Sequence, residues 1–228
     1  MPEAIVPAWN LARCYVSHEH RFVYIETPKV GCTIIKATLL GLFPDLYGGE
    51  APKVSQAHTA FENTEYRITK RDLAAGYRSG EYRDYLCFSF VRNPWDRLLS
   101  CYRSKIQADK IALKRTEYEG GVLYPGMTFR EFSEVVCQTP DEDANMHFRA
   151  QTPMLSGSDG GLLTNYVGRF ESLSRDFKEI FGRIGVTLEL PPPKKPRREG
   201  YREAYDGRLR EMVGERYRAD VEKFGYSF

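Results

Sequence analysis

Leu86-Cys-Phe-Ser-Phe-Val91 runs straight into Arg92-Asn93-Pro94 and on into Trp95-Asp-Arg-Leu-Leu-Ser-Cys-Tyr-Arg103. An apolar run broken by a single serine reads as a short strand covered on both faces. Asn93 suits a helix N-cap and Pro94 a first helical position, so the chain turns directly from strand to helix. In that helix Leu98, Leu99, Tyr102 and Ile106 form an apolar stripe, while Arg97, Ser100 and Arg103 share another face and are expected to be free for ligands. The same grammar occurs upstream, where Arg21-Phe-Val-Tyr-Ile-Glu26 precedes Thr27-Pro-Lys-Val-Gly-Cys-Thr33 and a helix-like stretch, Ile34–Phe43. It occurs again downstream in Tyr166-Val-Gly-Arg-Phe170, followed by Leu173, Phe177, Ile180 and Ile184 at helical spacing and Gly185 as a stop. Strands that alternate with helices predict an α/β domain with a parallel sheet covered by helices on both faces.

Other elements fit around this frame. Thr69-x-x-Asp72 and Thr128-x-x-Glu131 have the form of capping boxes; the first opens a short helix ending near Gly76, the second one carrying Phe129, Phe132, Val135 and Val136. A C-terminal helix holds Leu209, Met212, Val213, Tyr217, Val221 and Phe224 and ends at Gly225. Gln107–Gly126, Thr139–Thr164 and Pro191–Gly200 read as loops from their glycine, proline and polar content. With no repeat and no linker, residues 1–228 are expected to form a single domain.

Composition narrows the function. The chain has 228 residues, 42% of them hydrophobic, which is enough for a full core and excludes disorder. Thirty-three lysines and arginines against 31 aspartates and glutamates give a net charge of +2, so an anion site has to be local and no nucleic-acid or membrane partner is demanded. No apolar run approaches the ~20 residues that span a bilayer, and Met-Pro-Glu-Ala-Ile-Val lacks the form of a secretory signal, so a soluble cytoplasmic protein is expected. Cys14, Cys32, Cys87, Cys101 and Cys137 are odd in number and lack the Cys-x-x-Cys spacing of a metal or redox pair; no metal is expected. Cys32, without a histidine nearby in sequence, is read as a packing residue rather than a nucleophile.

Ligands of open α/β sheets gather where strands end and helices begin. Lys29 precedes Gly31 by two residues and Thr33 brings a hydroxyl to the helix start, which together make a phosphate cradle. It is not the loop of ATP hydrolases, in which the lysine follows the glycines. Arg92 places a guanidinium at the next strand end and Ser100 a hydroxyl eight residues on, forming a second anion site. Two separate cradles along one sheet edge suit a nucleotide phosphorylated at two places.

Pro28-Lys-Val-Gly-Cys-Thr-Ile-Ile-Lys36 resembles the 5′-phosphosulfate loop, and Phe90-Val-Arg-Asn-Pro-Trp-Asp-Arg-Leu-Leu-Ser100 the 3′-phosphate motif, of family-2 sulfotransferases. The resemblance extends through Val167-Gly-Arg-Phe-Glu-Ser-Leu-Ser-Arg-Asp-Phe177 and Tyr201-Arg-Glu-Ala-Tyr205 to Phe224-Gly-Tyr-Ser-Phe228, nearly the whole chain. It implies a three-layer fold like that of P-loop NTPases with a central parallel sheet flanked by helices. It also implies transfer of a sulfuryl group from 3′-phosphoadenosine-5′-phosphosulfate (PAPS) to a hydroxyl of a saccharide or small metabolite. By the same resemblance Lys29, Val30, Gly31, Cys32, Thr33 and Lys36 surround the 5′ end of the donor, Arg92 and Ser100 its 3′-phosphate, and Arg198 and Tyr201 complete the set. Where relatives often carry a second hydroxyl residue this chain has Ile34, and a basic run of Lys194, Lys195, Arg197 and Arg198 precedes the Tyr-Arg pair.

Sulfuryl transfer needs a base for the acceptor hydroxyl, and histidine suits neutral pH. His18 and His20 precede the first strand and are read as structural or exposed. His58 matches a histidine often found between the two motifs and is preferred as base, with Lys29 beside the bridging oxygen of the donor. His147, Arg149 and Gln151 fall in the stretch that resembles an acceptor-binding loop. A kinase would need lysine and a magnesium-binding hydroxyl at another spacing, and a nucleic-acid or protein-binding module a more basic chain, so both are ranked behind sulfotransfer.

Overall fold

The computed structural model describes residues 12–46, 54–107, 111–192 and 200–228. Along the chain run β1 (Arg13–Ser17), β2 (Phe22–Ile25), α1 (Cys32–Leu39), β3 (Arg67–Thr69), α2 (Lys70–Ser79), β4 (Leu86–Val91) and α3 (Pro94–Lys105). There follow β5 (Glu117–Tyr118), β6 (Gly121–Val122), α4 (Phe129–Gln138), α5 (Gln151–Leu155), β7 (Tyr166–Arg169), α6 (Leu173–Arg183), α7 (Gly207–Arg216) and α8 (Arg218–Phe224). These divide into two compact units, one formed by the chain up to Val91 with the stretch from Leu155, the other by Arg92–Met154 with the C-terminal stretch.

The first unit holds a five-stranded sheet in the order β3-β1-β2-β4-β7. Its β2, β4 and β7 are parallel, with Phe22 opposite Leu86 and Phe88 opposite Tyr166. The sheet is nevertheless mixed and not wholly parallel as expected, because β1 lies antiparallel to both β2 and β3. The physical reason is length: only residues 18–21 join β1 to β2, and a parallel crossover takes roughly a dozen or more residues. Phe22, Tyr24, Phe88 and Phe90 alternate onto one face and pack with Ile35 and Leu39 of α1 and Phe177, Ile180 and Phe181 of α6. Helix α2 packs against β1 and β3, and its Tyr77 hydroxyl donates to the Leu163 carbonyl at 3.2 Å. Gly168 lets β7 close on β4, since a Cβ there would sit 2.4 Å from the Phe90 ring.

Both capping boxes form as read, Thr69 with Asp72 and Thr128 with Glu131. The first helix does not stop near Gly76, however. It continues to Ser79 with Gly80 as its left-handed cap, and Gly76 is where the Tyr82 ring lies against the helix, 2.3 Å from where a Cβ would be.

The second unit packs α3, α4, α7 and α8 with the β5–β6 hairpin around Trp95, Leu98, Phe132, Val136, Phe148, Leu209 and Val213. Here the single C-terminal helix of the sequence reading is two. Tyr217 leaves helical geometry at φ −111°, ψ 26°, and its buried hydroxyl donates to the Phe148 carbonyl at 2.5 Å. Among the described residues no helix is long and apolar enough to cross a membrane.

Candidate active site

Because β2, β4 and β7 are parallel, the chain leaves all three at one edge of the sheet, and both sequence motifs start there. The ends of β2 and β4 are pinned together: Ser89 Oγ donates to the Ile25 carbonyl at 2.7 Å, which leaves Thr27 Oγ1 to donate to Ser89 Oγ at 3.1 Å. After Pro28 the backbone takes two left-handed residues, Lys29 at φ 73° and Gly31 at φ 87°. Glycine tolerates that geometry and lysine pays for it, a strain that accompanies functional loops. Gly31 is also tight, a Cβ there meeting Leu173 at 3.0 Å.

Gly31 is the N-cap of α1 and makes no side-chain cap; the first turn carries no acidic residue. A helix N-terminus in that state favours an anion through its amides and dipole. Thr33 adds a half-exposed hydroxyl and Lys29 a half-exposed ammonium, so the residues present fit a phosphate or sulfonate group. Val30 is wholly buried in the core. Burial, chiefly, and the nearby Glu26 carboxylate raise the Cys32 thiol, which keeps it protonated and in agreement with a packing role.

Behind the loop lies a polar chain that sequence reasoning did not foresee. Lys36, expected to touch the donor, is wholly buried. Its Nζ donates to Glu26 Oε1 at 2.9 Å, meets His58 Nδ1 at 3.0 Å and donates to the Tyr15 hydroxyl at 3.4 Å. Its three N–H groups therefore have three partners inside the protein, and a donor contact is corrected to a supporting one. Tyr15 donates in turn to Glu26 Oε2 at 2.7 Å. Burial pushes the Glu26 carboxyl up, but the Lys36 charge and hydrogen bond, with the Tyr15 hydroxyl, outweigh it and hold the group below its ordinary range. At the surface end of this chain, His58 Nε2 lies 2.9 Å from Thr33 Oγ1.

In the second unit the Arg92 guanidinium is gripped bidentately by Asp96 one turn on, through Nε and Nη2 at 2.8 Å each. Ser100 is half-buried two turns into α3. Arg97, expected on a free ligand face, is 2% exposed and instead donates to the carbonyls of Arg149 and Met146. Gln151 and Arg149 are likewise not open to an acceptor. The Gln151 amide accepts from the Arg92 N–H and donates to the Arg92 carbonyl, both at 2.9 Å. Asp220, fully buried, receives the backbone N–H groups of Gln151 and Thr152 at 2.8 and 2.6 Å. Burial raises the Asp220 carboxyl, against the pull of those two amides and of Arg97. Arg149 is buried and donates to the Ala144 carbonyl at 2.7 Å, framing the loop that carries His147. His147 is half-buried, with its Nδ1 2.7 Å from Asn145 Oδ1, an oxygen that also accepts the His147 backbone N–H at 3.1 Å.

Tyr201 packs edge-on against Phe228, with the Arg202 guanidinium over its ring. Arg198, with Lys194, Lys195 and Arg197, lies outside the described residues. His18 sits in the β1–β2 turn, its Nδ1 2.9 Å from the Tyr85 hydroxyl. Among the described residues no group of histidine, cysteine and carboxylate side chains forms a metal site.

The family model described as "Sulfotransferase family" matches residues 12–227. The chain is 28% identical over 197 residues to carbohydrate sulfotransferase 14 of Danio rerio, covering 81% of this chain and 52% of that protein. It is 26% identical over 199 residues to carbohydrate sulfotransferase 9 of Homo sapiens, covering 81% and 43%. Carbohydrate sulfotransferase 12 of Mus musculus is 23% identical over 259 residues, covering 97% and 61%. The chain thus spans about half the length of the curated relatives it matches. No solved structure matches it. With a family match over nearly its whole length, the chain belongs to the sulfotransferase family.

Proposed function

We propose that the protein transfers a sulfuryl group from PAPS to a hydroxyl of a saccharide. The observation that carries this reading is the first loop, where Lys29 and Gly31 both turn left-handed into an uncapped helix with no acidic residue in its first turn and Thr33 at its start. Family membership and the carbohydrate sulfotransferases among its relatives support the donor and the acceptor class. The parallel strand–loop–helix passages support a P-loop-like fold for the sheet unit.

The donor supplies an activated sulfuryl group and a phosphate as leaving group. In the transfer, the acceptor oxygen bonds to sulfur as the bridging S–O bond breaks, the electron pair leaving on the phosphate oxygen and the acceptor proton passing to a base. Lys29 lies in the loop that holds the 5′ end and neutralises charge that builds on the leaving oxygen. Thr33 and the α1 amides hold the 5′-phosphate, while Arg92 and Ser100 hold the 3′-phosphate, which orients without reacting.

The base must present a nitrogen without a proton. At His147 the Asn145 oxygen already accepts a backbone N–H, so it accepts from Nδ1–H as well, and the neutral ring carries its lone pair on Nε2. At His58 the Lys36 ammonium faces Nδ1, which puts the ring proton on Nε2, toward Thr33. This favours His147 over His58, the reverse of the preference drawn from sequence.

The test combines binding and turnover. Titration calorimetry with 3′-phosphoadenosine-5′-phosphate should give saturable binding that Arg92→Ala weakens by about tenfold or more, as for the loss of a charged contact. Lys29→Ala and His147→Ala should bind that nucleotide and lower sulfate transfer to a saccharide pool by about two orders of magnitude. A wild-type protein that binds ATP but not this nucleotide would overturn the reading.

A further inference from the structure

Sequence reading cast His58 as a base; its surroundings describe a different task. The buried Lys36 ammonium lies between Glu26 Oε1 at 2.9 Å and His58 Nδ1 at 3.0 Å. Glu26 is ionised, because its carboxyl is held low while its second oxygen takes the Tyr15 hydroxyl at 2.7 Å. An ionised partner requires Lys36 to keep its charge, since a neutral amine would leave a buried carboxylate uncompensated at a cost of several kcal/mol. A charged ammonium has only protons to offer. Nδ1 of His58 must therefore accept, and the proton of the neutral imidazole sits on Nε2.

Nε2 lies 2.9 Å from Thr33 Oγ1, so it is the donor in that pair and the threonine oxygen the acceptor. With its oxygen filled from behind, the Thr33 hydroxyl gives its own proton away from His58. Thr33 is the second residue of a helix whose N-terminus has no side-chain cap, where an anion is favoured. We propose that Tyr15, Glu26, Lys36 and His58 form a tautomer lock that holds the His58 proton on Nε2 and commits Thr33 to act as a hydrogen-bond donor to an oxyanion in the loop. His58 is then a positioning residue of the anion site. A second proton on the ring would have to enter at Nδ1 against the ammonium, and a lone pair on Nε2 would require the same clash. The inference rests on the donor reading only for the identity of the oxyanion.

Two measurements decide it. Imidazole 15N NMR of the free protein, with His58 assigned by the His58→Gln spectrum, should show a protonated Nε2 and an unprotonated Nδ1; the opposite pattern, or a ring protonated on both nitrogens at neutral pH, overturns the lock whatever the protein binds. Glutamine can offer an oxygen to Lys36 and an N–H to Thr33, whereas alanine can offer neither. His58→Ala should weaken 3′-phosphoadenosine-5′-phosphate by about 3- to 10-fold, and His58→Gln should restore affinity to within about twofold of wild type, with sulfate transfer recovering in parallel. If instead both variants bind the nucleotide normally and both lose transfer, His58 is a base and the proposal fails. If the wild-type protein does not bind the nucleotide, the donor reading falls, and the NMR pattern still decides the lock.

Discussion

Removing the cation from under the anion loop gives a sharp thermodynamic test. Lys36→Met keeps most of the side-chain volume but leaves Glu26, 4% exposed, with the Tyr15 hydroxyl and without its ion-pair partner. Breaking a buried pair from one side costs about 3–5 kcal/mol, because the remaining ion stays desolvated. At neutral pH urea denaturation followed by circular dichroism should show a loss of that size. The pH dependence then separates this cause from simple packing. In the wild type the folded carboxyl lies below its ordinary value of 4.5, so its contribution is fully present above that pH and is lost as pH falls through the folded value. In Lys36→Met the upward push of burial loses its main opponent and is countered only by the Tyr15 hydroxyl and the smaller pull of Arg13. The carboxyl then penalises folding above pH 4.5 and ceases to do so once protonated. The gap between the two proteins should therefore narrow steadily on acidification toward pH 4. Adding Glu26→Gln to Lys36→Met should recover most of the loss at pH 7. A loss under about 1 kcal/mol, or one independent of pH, would refute the buried-pair account.

Two further outcomes follow from packing and from the second unit. Gly168→Ala places a methyl against the Phe90 ring and should destabilise the protein by about 1–3 kcal/mol in the same assay, since neither strand can move without breaking the β4–β7 ladder. Asp220→Asn turns an accepting oxygen into an N–H donor opposite the Gln151 or Thr152 amide and should cost about 1–3 kcal/mol, while weakening 3′-phosphoadenosine-5′-phosphate because Gln151 no longer holds the Arg92 backbone.

Local signals carried much of the fold. Asn93-Pro94 and the two capping boxes state their own geometry, because a cap is satisfied by residues three positions apart or fewer. The apolar strands β2 and β4 were legible because burial on both faces removes polar alternation. Strand β1 was not, since its turn, His18-Glu-His-Arg21, has none of the glycine, asparagine or proline that marks a hairpin, and the chain meets the turn with Arg21 itself at φ 50°. The break at Tyr217 was hidden for a related reason: its apolar spacing continues through, and only a hydrogen bond to a carbonyl 69 positions away reveals why the helix stops. Among site residues, the two proposed anion motifs are contiguous in the sequence. The groups behind them are not, because Glu26 with Lys36 and Gln151 with Asp220 are joined by contacts between distant positions. Gln151, read from the sequence as an acceptor contact, is held by the Arg92 backbone and Asp220.

Each unit supports its motif with a buried carboxylate, and the two are handled differently. Glu26 is compensated by a full charge, so it stays ionised and can dictate where a neighbouring imidazole carries its proton. Asp220 is held mainly by backbone amides, with burial raising it, and it works by geometry: its two oxygens fix consecutive N–H groups and thereby the side chain of Gln151. A charge-compensated support transmits proton position, whereas an amide-bound one transmits backbone position. The first suits a loop whose hydroxyl must donate in one direction, and the second a strand end whose arginine must be presented in one place. Lys36→Met should accordingly change the His58 15N pattern as well as stability, while Asp220→Asn should leave that pattern untouched and act on nucleotide affinity alone; equal effects of both on the imidazole spectrum would remove the distinction.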